Sequence, residues 1–132
     1  MTTNIEIVEV SARDGLQSEK KFVATLDKLA LIKRAIDAGL RRIEVTSFVN
    51  PKRVPQMADA EELVQMLPEC NDVRYTGLAL NYRGFERARA LQLDEIGCAF
   101  VATDSFNKRS QGLEVAEAIN QWNRIADDAH TA

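Results

Sequence analysis

Residues 5–17, IEIVEVSARDGLQ, distinguish between two folds that the rest of the chain allows. Ile5 to Val10 is a short run rich in β-branched residues, which predicts a strand beginning at about Asn4. The loop after it, Ser11 to Lys21, is polar and has one glycine, Gly15. An open doubly wound sheet that binds dinucleotides carries a glycine-rich phosphate loop here. Its absence favours part of a (β/α)8 barrel.

Strand-like and helix-like segments alternate along the whole sequence. Further strands are predicted over residues 42–48, 73–79 and 95–102. Such alternation implies parallel strands joined by helical crossovers. We therefore predict an α/β fold of the TIM-barrel class, in which residues 1–132 supply four βα units, the N-terminal half of a barrel. The predicted helices carry apolar residues at helical spacing: Leu26, Leu29, Ile32 and Ile36; Met57, Ala60, Leu63, Val64 and Leu67; Phe85, Ala88 and Leu91; Val115, Ile119, Trp122, Ile125, Ala126 and Ala129.

Helix boundaries are indicated by capping residues. Thr25 is a candidate N-cap of the first helix, Gly39 lies just past its end, and Asn81 can cap the third helix. His130 is expected on the surface near the end of the last helix.

Composition excludes several classes of protein. The net charge is -3 with both signs interspersed, so no nucleic-acid footprint is expected. No apolar stretch reaches the ~20 residues of a membrane helix. Cys70, Cys98 and His130 cannot form a structural zinc site. Two free thiols and no signal peptide predict a cytoplasmic protein.

Glu44 lies in a strand where Ile43 and Val45 alternate with polar residues. In a barrel, one face of each strand packs on helices and the other points inward, which would place Glu44 inside. The alternative is an outward salt bridge to Arg41 or Arg42.

Arg13-Asp14 follows the first predicted strand directly, at the barrel end where active sites collect. Asp14 can offer an oxygen to a hard cation such as Mg²⁺, and Arg13 can stabilise negative charge on a substrate oxygen. The alternative is a solvated Asp-Gly turn. Two other predicted loops are rich in polar residues and would share the same mouth: Thr46, Ser47, Asn50, Lys52, Arg53 and Gln56; Thr103, Asp104, Ser105, Asn107, Lys108 and Arg109.

Taken together, these segments resemble the hydroxymethylglutaryl-CoA lyases, and the resemblance runs in register over almost the whole chain. It favours the functional interpretation of Arg13-Asp14 over the turn. The stretches that carry it are residues 7–10 (IVEV), 13–17 (RDGLQ), 19–20 (EK), 38–40 (AGL), 43–49 (IEVTSFV), 51–52 (PK), 54–59 (VPQMAD), Asn81 and 84–86 (GFE).

The resemblance implies a (β/α)8 metallolyase that cleaves 3-hydroxy-3-methylglutaryl-CoA to acetyl-CoA and acetoacetate, in leucine degradation. It implies that Asp14 ligates Mg²⁺ or Mn²⁺, that Arg13 stabilises the acetyl-CoA enolate, and that Glu44 is a catalytic residue inside the barrel beside both. Gln17, Ser47 and Asn81 match substrate-binding positions of the same mouth. The partner would be an acyl-CoA.

Several positions depart from the family pattern. Thr103-Asp104 stand where the family usually has Ser-Glu, Ser110 replaces Asn, and Leu80 replaces Pro before Asn81. These changes bear on the acyl group, so a related 3-hydroxyacyl-CoA or a citramalyl-like substrate is an alternative. The resemblance also places a His-x-His metal pair, an Asn ligand and a catalytic Cys in the second half of the barrel, and a complete barrel needs ~250 residues. We therefore expect these 132 residues alone to be inactive.

Two other functions remain open. A synthase of the same superfamily would run the Claisen condensation instead of the cleavage. A non-catalytic half-barrel would self-associate or dimerise through its open edges, since unpaired strand edges invite pairing.

Overall fold

A computed structural model describes residues 4–131 and contains a parallel sheet in the order β1 (Arg42–Ser47), β2 (Arg74–Ala79), β3 (Glu95–Cys98). Both strand pairs are parallel, and a helix crosses from each strand to the next. The predicted α/β class is confirmed as an open, partial barrel. The helices are α1 (Thr25–Asp37), α2 (Ala60–Gln65), α3 (Tyr82–Arg89), α4 (Asp104–Gln111) and α5 (Val115–His130), with a π-helical turn at Ser11–Gly15 and a 3₁₀ turn at Pro55–Met57.

The strand predicted over Ile5 to Val10 is wrong. Only Glu9 pairs with β1, through Glu9 N–H to Arg42 O (2.9 Å) and Glu44 N–H to Glu9 O (2.8 Å). Ile5 and Ile7 are 89% and 65% exposed. Within residues 4–131 no strand pairs with the other edge of this segment. The segment therefore buries little apolar surface, and an extended strand is not stabilised there.

The core lies between the sheet and the first helices. Ile43 and Val45 of β1 are fully buried and pack in one cluster with Leu29, Ile32 and Leu63. This positions β1 rigidly, with its other face free for polar side chains.

The buried face of α1 differs from the predicted one at its first turn. Leu26 is 66% exposed, whereas Lys28 is buried. Thr25 is the first helical residue and not the N-cap, which is Ala24, because the Thr25 hydroxyl donates to Asp59 instead (2.9 Å). Gly39 follows the helix at φ +95°, as its position predicts.

The fourth unit contains a helix that the sequence did not predict. β3 ends at Cys98, short of Ala102, and the polar stretch after it forms α4. Asn107 explains this fold, because its buried side chain accepts from Val101 N–H (3.1 Å) and donates to Leu113 O (3.0 Å).

Helix α5 confirms the last predicted helix, and a capping box of Glu114 and Glu117 begins it. Its apolar stripe is only partly covered: Ile125 is buried, whereas Trp122 is 44% exposed. His130 is exposed near its end, as predicted.

Candidate active site

The turn at Ser11–Gly15 positions Arg13 and Asp14. Val10 O accepts from the backbone N–H of Arg13 (3.2 Å), Asp14 (2.7 Å) and Gly15 (3.3 Å). The Glu9 carboxylate accepts from Ser11 N–H (2.7 Å), and this hydrogen bond lowers the pKa of Glu9. Arg13 therefore sits on backbone that is hydrogen-bonded on both sides of the turn.

Arg13 Nε donates to Glu44 Oε1, joining the first loop to the middle of β1. The two side chains are 17% and 13% exposed. The alternative in which Glu44 pairs outward is wrong, because Arg41 pairs with Asp72 (2.9 Å) and Arg42 with Glu95 (2.8 Å). Glu44 thus lies on the inner face of the sheet, facing Arg13.

Asp14 is the exposed member of the cluster. Its Oδ1 accepts from Arg13 Nη1 (2.9 Å), and its side chain is 66% exposed. Among residues 4–131, no three His, Cys, Asp or Glu side chains lie close enough to hold a metal ion. Glu44 is already held by Arg13, and one carboxylate does not satisfy the six-ligand preference of Mg²⁺. The described residues fit one metal ligand and not a complete site.

One cavity opens beside Asp14, and a second shares Gln17 and Arg53 with it. One, of about 430 Å³, is lined by Asp14, Gln17, Lys20, Arg53 and Gln56 among others. The other, of about 370 Å³, is lined by residues from all four connecting loops: Gln17, Asn50, Arg53, Asn81 and Arg109 among them. The structure therefore brings the polar loops to one mouth.

Gln17 and Ser47 have side-chain oxygens without a hydrogen-bond partner among the described residues. Gln17 Oε1 and Ser47 Oγ are both buried, and Ser47 is the last residue of β1. Burying a polar atom without a partner is costly. The hydrogen-bonding capacity of these two oxygens is therefore unused within the described residues.

Asn81 has a structural function in the described chain. Its Oδ1 accepts from Gly84 N–H (2.8 Å) and caps α3. Asn81 also lines the cavity of 370 Å³, so its side-chain nitrogen is the polar atom left for another contact.

The departures in the fourth loop have a structural effect too. Asp104 Oδ1 accepts from Val115 N–H (2.8 Å) and links α4 to the start of α5. Ser110 lines the smaller cavity, so the substitution there alters the wall of the mouth.

Lys28 and Gln56 are buried polar residues, and the sequence does not predict that they act together. It predicts Gln56 only as one residue of a polar loop. The spacing of Lys28 could have indicated its burial, because it lies four residues before Ile32 on the buried face of α1.

Within the described residues, no helix is both long and apolar enough to cross a membrane.

Comparison with known proteins gives a consistent result. Residues 4–132 match the family model described as HMGL-like. The mitochondrial hydroxymethylglutaryl-CoA lyase of Bos taurus is 38% identical over 128 residues, covering 97% of this chain and 39% of that protein. This chain therefore spans about two fifths of the length of that relative.

Solved structures agree with the sequence matches. The HMG-CoA lyase from Brucella melitensis superposes with a TM-score of 0.91 at 45% identity, covering 96% of this chain and 45% of that one. The HMG-CoA lyase from Acinetobacter baumannii, in complex with coenzyme A and 3-methylmalate, gives 0.89 at 32%, covering 93% and 40%.

Proposed function

The chain belongs to the HMGL-like family, and on that premise we propose that it supplies the enolate-binding part of an acyl-CoA lyase active site. The reaction would be retro-Claisen cleavage of 3-hydroxy-3-methylglutaryl-CoA to acetyl-CoA and acetoacetate. The domain would be the N-terminal half of the barrel. One observation carries the proposal: Arg13 is held on two of its nitrogens and has one left.

Arg13 Nε binds Glu44 and Nη1 binds Asp14. Nη2 has no hydrogen-bond partner within residues 4–131. In the proposed reaction the 3-hydroxyl gives its proton to a base, C3 becomes the carbonyl of acetoacetate as the bond between C2 and C3 breaks, and the electron pair moves onto the thioester oxygen. Protonation of the enolate at C2 then gives acetyl-CoA. A fixed guanidinium stabilises that developing enolate because it remains charged and presents donors in a rigid plane.

Glu44 would act as a positioning residue for Arg13. A largely buried carboxylate on Nε fixes the plane of the guanidinium and offsets its desolvation. Gln17, Ser47 and Asn81 would bind the acyl-CoA, with the two unpartnered oxygens accepting hydrogen bonds from it.

We also propose that Asp14 contributes one ligand to a divalent cation, Mg²⁺ or Mn²⁺. The other ligands would come from outside residues 4–131, within which no group of three candidate metal-binding side chains lies together.

A chimera tests the proposed function. Residues 4–131 would replace the matching segment of the Brucella melitensis lyase, which is 45% identical over this region. We expect metal-dependent release of acetyl-CoA from 3-hydroxy-3-methylglutaryl-CoA, and Arg13→Met should reduce it by about 10²–10³-fold. A folded chimera that consumes acetyl-CoA instead would indicate a synthase, and one without activity would reject the proposal.

We propose that the chain alone self-associates through its open edges. Ile5 and Ile7 are exposed beside β1, and β3 has a free edge within the described residues. We also propose a cytoplasmic location, since Cys70 and Cys98 are free thiols, which persist in a reducing compartment.

A further inference from the structure

One buried glutamine holds the segment that follows the Arg13 turn. The Gln56 side chain accepts from Val23 N–H (2.9 Å) and donates to Glu19 O (3.3 Å) and Lys21 O (3.0 Å). Gln56 is 4% exposed. Three backbone groups of residues 19–23 are thus satisfied by a single amide.

Lys28 stabilises this arrangement through its buried ammonium group. Its ammonium donates to Gln56 O and to Asp59 Oδ1 (2.7 Å), and it lies 4.9 Å from the centre of the Phe22 ring. Lys28 is 1% exposed. A buried ammonium is costly unless it is paired, so Lys28 ties Phe22 to the second loop.

The segment held in this way is one wall of the cavity beside Asp14. Residues 17–20 and Phe22 line one side of the 430 Å³ cavity, and residues 53–56 line the other. No backbone hydrogen bond crosses between these two sides among the described residues; Glu19 N–H bonds only locally, to Leu16 O (3.0 Å).

We propose that Gln56 and Lys28 are positioning residues that set the width of this mouth. They fix the segment from Gln17 to Phe22 against the second loop and thereby select which part of an acyl-CoA fits beside Asp14. The inference rests on the proposed function only in treating the cavity as part of the substrate mouth. The order of the wall can be measured without turnover, so either claim can fail without the other.

Residue-resolved hydrogen exchange on the full chain tests the wall directly. In the wild type, the Val23 amide should exchange slowly, whereas the amides of Lys20, Lys21 and Phe22 should exchange quickly. Gln56→Leu removes all three hydrogen bonds and should speed exchange at Val23 by about tenfold or more. Gln65→Leu, at an exposed glutamine at the end of α2, is the matched control and should change nothing there.

Trypsin digestion provides a second measurement, because trypsin cleaves after lysine and Lys20 and Lys21 lie in the wall. Gln56→Leu should speed cleavage after these residues by about tenfold, with little change after Lys33 in α1. Equal acceleration at all three sites would mean general destabilisation and would overturn the proposal, as would a fast-exchanging Val23 amide in the wild type.

Gln56→Glu keeps the size of the side chain and tests the contribution of its hydrogen-bond donor alone. A carboxylate can still accept from Val23 N–H but cannot donate to Glu19 O or Lys21 O, whereas a protonated carboxyl can donate once. We expect Val23 to stay protected and cleavage after Lys21 to increase at neutral pH. As the pH falls, cleavage after Lys21 relative to cleavage after Lys33 should return towards the wild-type ratio, because the protonated carboxyl can donate to one of the two carbonyls. A ratio equal to that of the wild type at every pH would contradict the role of the amide.

In the lyase chimera, Gln56→Leu should raise KM for the acyl-CoA several-fold more than it lowers kcat, since it widens the mouth without touching Arg13. A loss confined to kcat would overturn the positioning role. An inactive chimera would reject the proposed function, while exchange at Val23 would still test the wall.

Discussion

Arg13 and Glu44 are 31 residues apart in sequence and form an ion pair between the first turn and the inner face of β1. Both side chains are largely shielded from water. The pair is a direct side-chain link between the turn and the sheet, so it should influence both stability and the orientation of Arg13.

Glu44→Gln should lower the free energy of unfolding by about 1–3 kcal/mol, because the guanidinium loses a charged acceptor at a largely buried position. Urea titration measures this loss. Glu62→Gln, at an exposed position of α2, should cost less than about 0.5 kcal/mol. A double-mutant cycle with Arg13→Met should show that the two changes are not additive, and full additivity would show that the pair contributes nothing.

Gly77→Ala should destabilise the sheet by about 1–3 kcal/mol, because a Cβ at Gly77 would lie 2.6 Å from Phe48 Cε2 and 2.9 Å from Leu93 Cδ1. The control is Gly97→Ala in β3, where the nearest atom would lie 3.7 Å away. Thermal melts of the two variants should differ clearly. Equal midpoints would mean that Phe48 and Leu93 move aside without cost.

Asn81→Ala should cost about 1 kcal/mol, since it removes the side-chain cap of α3. Asn81→Asp keeps an acceptor for Gly84 N–H and should retain the stability of the wild type. In the lyase chimera the same pair separates the two roles of Asn81. If the amide nitrogen binds the acyl-CoA, Asn81→Asp should raise KM although the helix stays capped; an unchanged KM would leave Asn81 with only its structural role.

The fold class and the position of the site could be predicted from sequence because both depend on short-range signals. Alternating apolar runs identified β1 and β2 within a residue or two, and Asn81 is the cap that its position predicts. Arg13-Asp14 lies at the candidate site although the strand predicted before it does not form, because the single bridge between Glu9 and Ile43 holds the start of the turn beside β1. Strand periodicity alone could not decide whether Glu44 faces Arg13 or pairs outward with Arg41 or Arg42. The family resemblance favoured the position beside Arg13, where the structure has it.

The features that sequence reasoning missed depend on tertiary contacts. α4 is polar on most sides and forms around Asn107, whose partners are six residues away in each direction. The segment from Ile5 to Val10 has strand composition, but strand formation also needs pairing partners. Lys28 takes the buried position of α1 at the first turn because Asp59 and Gln56 O satisfy it, whereas Leu26 faces solvent.

Acid should remove the contribution of the Glu61–Arg87 pair, which joins α2 to α3 through Nε (2.6 Å) and Nη2 (3.0 Å). Hydrogen bonding to Arg87 lowers the pKa of Glu61 below its ordinary value of 4.5. Because the folded pKa is the lower one, the stabilisation is fully present above the unfolded value and is lost as pH falls through the folded pKa. Its size should be under about 1 kcal/mol, since the carboxylate is 39% exposed and solvent screens the pair. The free energies of unfolding of the wild type and Glu61→Gln should therefore differ most above the unfolded pKa of the carboxyl and converge as the pH falls below its folded pKa; a difference that grows in acid would contradict the sign.

Self-association of the 132-residue chain should depend on the segment beside β1. Ile7 is 65% exposed and lies near an edge that no described strand covers. A charged residue on an edge opposes pairing with another chain, so Ile7→Lys should shift sedimentation towards the monomer. Ala30→Lys adds the same charge at an exposed position of α1 and should leave the assembly intact. A wild-type chain that sediments as one monomeric species and unfolds cooperatively would show that the open edges are tolerated.

Independent of assembly, the chain alone should show negligible lyase turnover, since its described residues provide no complete metal site. Metal-dependent cleavage by the verified intact chain would contradict this.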